Sequence, residues 1–168
     1  HCRTLSETSP DRFENWFNLG VAHHKMGNYQ KAAQAYQQAA ILQPSSAQTH
    51  LNLGVAQQEL NDLPGARASY EKALKIDPKQ SGVMWNLALV LEQQNERQWA
   101  EKLYAQIPED SAEWCDATFR LGYLRLLNGE YAPSAQAFES CLVKRNDWPE
   151  AYLNAGIAHA RSGNVTEA

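Results

Sequence analysis

The sequence predicts an all-α solenoid of stacked helical units, and three observations carry that prediction. A Leu/Ala-Gly/Ala pair returns every 34 residues, at Leu19-Gly20, Leu53-Gly54, Leu87-Ala88, Leu121-Gly122 and Ala155-Gly156. A small side chain follows at Ala32, Ala66, Ala100, Ser134 and Ala168, and a ring at Tyr36, Tyr70, Tyr104 and Phe138. Pro10, Pro44 and Pro78 share one phase of the same period. A fixed period of this length marks a repeat array in which each unit buries its apolar face on its neighbours, so no central core is needed.

Taken in order, residues 1–12 read as the tail of a preceding unit, with Cys2, Leu5 and Pro10 in phase with Tyr36, Ala39 and Pro44. Full units follow at 13–46, 47–80, 81–114 and 115–148, and a partial fifth occupies 149–168. Ten helical segments are expected: a leading second-helix remnant, four pairs of a first helix (A) and a second (B), and a final A helix with a stub of B. The small residue of each pair lies mid-helix, where Gly costs about 1 kcal/mol against Ala. Close approach to the small residues of helix B would offset that cost, with the rings filling the space toward the next unit. Gly27, Asn61, Asn95, Gly129 and Gly163 fall in the A-to-B turn, where a left-handed residue ends a helix. Pro64 and Pro133 fall in the first turn of B helices, where a missing N–H does no harm.

The third unit departs from the pattern. Its proline is Pro108, four residues ahead of the slot held by Pro44 and Pro78. Because proline disfavours helical geometry in the residue before it, the third B helix is expected to end near Ile107. Asp110 and Glu113 then have the spacing of a capping box, which starts the fourth A helix at Asp110 or Ser111. The alternative is a specialised contact surface near Trp99 and Trp114.

The first full unit reads Trp16-x2-Leu19-Gly20-x2-His23, then Gly27, Tyr29, Ala32-x3-Tyr36, Ala39 and Pro44. This resembles the tetratricopeptide repeat (TPR) family, bacterial TPR scaffold proteins among them, and the resemblance spans the whole chain. It implies two antiparallel helices per unit, a right-handed superhelix and a concave face lined by A helices. It also implies that 1–168 is a single array.

Composition narrows the function. Net charge is -4, from 15 basic and 19 acidic residues, with no basic run to follow a phosphate backbone, so nucleic acid is not an expected partner. No apolar stretch approaches the roughly 20 residues that span a bilayer. Cys2, Cys115 and Cys141 form no CxxC and suggest neither a disulfide framework nor a zinc site; cytoplasm fits best, and three cysteines are compatible with the periplasm. His23, His24, His50 and His159 have no metal-ligand spacing and read as structural. With no phosphate loop, nucleophile elbow or carboxylate pair, neither catalysis nor a cofactor is expected. Because the chain opens mid-helix in register and shows no polar cap, it reads as an internal piece of a longer array.

The candidate site is the concave face that the resemblance implies. The fifth position of each unit holds Phe17, Leu51, Trp85, Phe119 and Leu153, and the ninth holds Val21, Val55, Leu89, Tyr123 and Ile157. Four residues apart, these share one helix face. The sixth position holds Asn18, Asn52, Asn86, Arg120 and Asn154. That ladder resembles the asparagines lining the repeat arm of O-GlcNAc transferases, which grip extended peptide backbones. Magnitudes favour the apolar stripe as the driver: covering about 400 Å² yields roughly 10 kcal/mol gross. An asparagine hydrogen bond yields about 0.5–1.5 kcal/mol net. Trp85, Phe119 and Tyr123 are expected to share one concavity beside Asn86 and Arg120.

Three functions remain in view. The leading one is a non-catalytic scaffold that takes an apolar or amphipathic peptide segment of a partner protein in its groove. The second is the substrate-recognition arm of a larger enzyme such as a glycosyltransferase. The third is self-association through uncapped ends.

Overall fold

The structure, a computed structural model, describes residues 10–163. The predicted leading B remnant, Cys2, the stub of the fifth B helix and Ala168 lie outside the described residues. Among those residues the fold is an all-α helical repeat with no strand. It comprises α1 (Pro10–Lys25), α2 (Tyr29–Leu42), α3 (Ala47–Glu59), α4 (Leu63–Ile76), α5 (Ser81–Gln93), α6 (Arg97–Tyr104), α7 (Trp114–Leu127), α8 (Tyr131–Lys144) and α9 (Pro149–Ser162). Two compact units divide the chain. His1–Gln94 holds α1 to α5, and Asn95–Ala168 holds α6 to α9; within each, packing runs between successive helices.

Local chemistry sets the helix ends. The five A-to-B turn residues all have positive φ, and the non-glycines among them, Asn61 at +58° and Asn95 at +62°, adopt the left-handed conformation that Asn tolerates best. The Ser46 side chain accepts from the Thr49 N–H at 3.2 Å to start α3, and Asp62 accepts from the Gly65 N–H at 3.0 Å to start α4. Pro64 sits in that same first turn.

The Gly positions of helix A have a different partner from the one expected. A Cβ on Gly20 would lie 2.5 Å from Cε1 of Tyr36, one on Gly54 would lie 2.5 Å from Cε1 of Tyr70, and one on Gly122 would lie 3.0 Å from Cε1 of Phe138. The ring therefore belongs to the same repeat and lies against the bare backbone of its own A helix. Small does not simply face small: the glycine makes room for a ring. At Gly156 a Cβ would meet nothing within 4 Å among the described residues. The small B-helix residue adds a polar tie in the fourth repeat, where the Ser134 hydroxyl donates to the Gly122 carbonyl at 2.7 Å.

The irregular third repeat also differs from expectation. As predicted, the helix is broken before Pro108, but α6 ends at Tyr104, three residues earlier than expected, and α7 starts at Trp114, not at Asp110 or Ser111. The proposed capping box does not form, and Glu113 at the N-cap makes no side-chain cap bond. Instead both the Ser111 hydroxyl and its N–H donate to the Pro108 carbonyl, at 2.7 and 3.1 Å. Ser111 thus closes a turn on Pro108 in place of starting a helix.

Cys141 lies fully buried on α8, its thiol donating to the Cys115 carbonyl at 3.3 Å. Burial above all, with Cys115 and Asp116 adding to it, pushes its pKa up to about 12. Folding thus favours the protonated thiol, and the stability so gained is intact below the ordinary thiol pKa and lost as pH rises through the folded value. Stability should begin to fall from about pH 9. Melting temperatures taken stepwise over that range should flatten in Cys141→Ala, and an identical decline in both proteins would show that the thiol is not its source.

Candidate functional site

The A-helix face of the first unit brings three of the predicted residues together. Val21 of α1 with Asn52 and Val55 of α3 line a cleft of about 230 Å³, joined by His24, Lys25 and Tyr36. Lys25 is four residues beyond Val21, so the spacing that relates the fifth and ninth positions extends one turn further. That signal was present in the sequence; the groove is longer than two positions per helix. Phe17 and Val21 also pack against the core of Ala32, Ala33, Tyr36, Leu53 and Ala56, with the Phe17 and Tyr36 rings 5.9 Å apart. They are therefore part wall and part core. Leu51 is half-buried outside this cleft, Asn18 is exposed, and Trp85, Asn86 and Leu89 are half-buried on α5.

Asn52 is held from within its own helix. Gln48 Nε2 donates to its Oδ1 at 2.9 Å. Across the same cleft burial raises the pKa of Tyr36, and the Asn52 side chain lowers it in part. An asparagine amide has two donors and two acceptor sites, and the Gln48 bond uses one acceptor site. The side chain is oriented and retains the capacity to pair with a peptide group.

In the second unit the predicted residues sit less uniformly. Phe119 stacks on Trp148, with centroids 4.4 Å apart, and meets Phe138 edge-on at 5.3 Å. Arg145 lies over Trp148 at 4.2 Å and pairs with Asp116 at 3.3 Å. Trp148, which no repeat position flagged, thus fixes Phe119 from outside the A helix. Arg120 is half-buried and Tyr123 is 39 % exposed. Leu153 is 65 % exposed, while Ile157 packs against Leu126, Ala135 and Ala158. Asn154 Nδ2 donates to the Glu150 carbonyl at 2.8 Å, within its own helix.

The histidines take up local contacts. His50 Nε2 bonds the Pro44 carbonyl at 2.9 Å, His159 Nε2 bonds Glu139 at 2.7 Å, and His24 meets Tyr29 edge-on. No group of three metal-ligating side chains occurs among the described residues. No described helix is long and apolar enough to cross a membrane.

Comparison with known proteins agrees with the helical repeat fold. One family model described as tetratricopeptide repeat matches residues 3–47 and 17–81, and a second with the same description matches 59–117. No curated protein matches the chain. Among solved structures, a MamA crystal structure superposes with a TM-score of 0.86 at 20% identity, covering 95% of this chain and 87% of that one. YrrB, described as a TPR protein with an unusual peptide-binding site, gives 0.79 at 19% identity, covering 90% and 78%. The PilF structure from Pseudomonas aeruginosa gives 0.75 at 23% identity, covering 94% and 72%. At these identities the likeness is one of fold.

Proposed function

Since the chain belongs to the tetratricopeptide repeat family and its repeats form a protein-interaction scaffold, we propose that it binds an apolar or amphipathic peptide segment along its A-helix face without catalysing a reaction on it. The observation that carries this reading is the cleft between α1 and α3, where Val21 and Val55 form apolar walls beside the oriented amide of Asn52. An aliphatic side chain of the peptide would enter between the valines, and its backbone would meet the spare donor and acceptor of Asn52. A peptide-binding site is also attributed to the YrrB structure. Association itself costs roughly 4–15 kcal/mol, so of about 10 kcal/mol gross at most about 6 remains, which corresponds to an affinity of tens of micromolar or weaker.

Peptides selected from a displayed random library on the immobilised protein test the proposal. Selected sequences should share an aliphatic anchor and lose at least about tenfold in affinity to Val55→Asp, which puts a charge in the apolar wall. Circular dichroism should report an unchanged fold. Selected peptides indifferent to Val55→Asp would place recognition elsewhere.

A further inference from the structure

We propose that the B-helix side of the first unit carries a second, independent docking site, which takes an acidic amphipathic segment of a partner protein. A cleft of about 590 Å³ opens between α2 and α4 and reaches down to α3. Half of its lining is apolar, from Ala40, Ile41, Pro44, Leu53 and Ile76, with Ile41 from α2 69 % exposed and Ile76 from α4 40 % exposed. Large aliphatic side chains grouped in water mark a contact surface. His50 lies at its inner edge, and its bond to the Pro44 carbonyl holds the loop that forms one rim.

The wall opposite α2 is basic. Lys72 and Lys75, three residues apart on one face of α4, both line the cleft and are both exposed. Neither forms an ion pair among the described residues, and no acidic side chain lines the cleft. In a protein of net charge -4 this is a local field of the opposite sign.

The repeat supplies its own control. A corresponding cleft of about 340 Å³ opens in the second unit between α6 and α8, with Thr118 and Leu121 where the first has His50 and Leu53. One period further on, the places of Lys72 and Lys75 are held by Gln106 and Glu109, both past the end of α6, and two periods on by Ser140 and Val143 of α8. Two periods on, the places of Ile41 and Ile76 are held by Glu109 and Lys144, neither of which lines the second cleft. Stacking of the units thus accounts for a cleft at this point but not for its isoleucines and lysines. Together they select a ligand with aliphatic side chains flanked by carboxylates: the floor supplies affinity and the lysines supply the choice of charge.

The probe is a fluorescein-labelled helical peptide with leucines at every third and fourth position and glutamates between them, paired with the same peptide carrying lysine in place of glutamate. Anisotropy titration of the protein should show the acidic probe binding about tenfold or more tighter than the basic one. Lys72→Glu/Lys75→Glu should reverse that preference, Ile41→Asp should abolish binding of the acidic probe, and Val55→Asp on the A-helix face should leave it unchanged. All three positions of the first two variants are surface-exposed, so melting temperature should barely move. The proposal is overturned by absence of binding at millimolar protein, by equal affinity for the two probes, by insensitivity to the lysine reversal, or by self-association in sedimentation velocity that Ile41→Asp removes. Because Val55→Asp acts on the other face alone, failure here leaves the reading of the A-helix groove standing.

Discussion

Tyr70→Ala is expected to cost about 3–5 kcal/mol of stability, in the range of large aromatic truncations in a core. The ring is 0 % exposed, lies against the bare backbone of Gly54, and donates its hydroxyl to Gln58 Oε1 at 2.9 Å. Tyr70→Phe should cost only about 1 kcal/mol, the net value of the lost hydrogen bond. The sharper expectation concerns Gly54→Ala. In the natural background its methyl would lie 2.5 Å from the ring, so overpacking of about 1–3 kcal/mol outweighs the gain of about 1 kcal/mol in helix propensity. With Tyr70 already alanine, the methyl meets a void and Gly54→Ala should turn stabilising. Chemical denaturation of the two singles and the double closes the cycle, and strict additivity would show that glycine and ring are not coupled.

Trp85→Ala should weaken binding of a peptide selected on the A-helix face by about 2 kcal/mol or more, close to thirtyfold, as truncation of a central aromatic anchor does. The side chain is half-buried on α5, while the packing positions beside it, Val83, Met84, Leu87 and Ala88, are buried. Those four hold the helix to the fold, so the melting temperature should change far less than the affinity. Calorimetric titration and thermal melting of the same sample separate the two effects. A collapsed melting temperature with unchanged affinity would make Trp85 ordinary core.

Much of the fold and part of the site could be read in advance. Asn61 and Asn95 were identifiable as left-handed turn residues because the constraint lies within one residue's own φ and ψ. Val21 and Val55 were identifiable as facing a common side because they hold the ninth position of successive repeats, which the family resemblance puts on the concave face. Trp148 was not, because its place depends on a stack with Phe119 and a cation over its other side, contacts that no period encodes. The place of the Tyr36 ring in the cleft beside Asn52 was missed for the same reason, since it comes from α2, a different helix.

The sequence by itself determined the helical repeat, its period and its turns, since each rests on local sterics and on apolar spacing repeated along the chain. Only the tertiary structure decided that the rings of three repeats close on the glycines of their own A helices, that Ser111 closes a turn on Pro108 and α7 waits until Trp114, and which side chains share the cleft between α1 and α3. A helix declares its faces through the order of its residues. What lies against those faces follows from the shapes and hydrogen-bonding demands of side chains brought together only by packing.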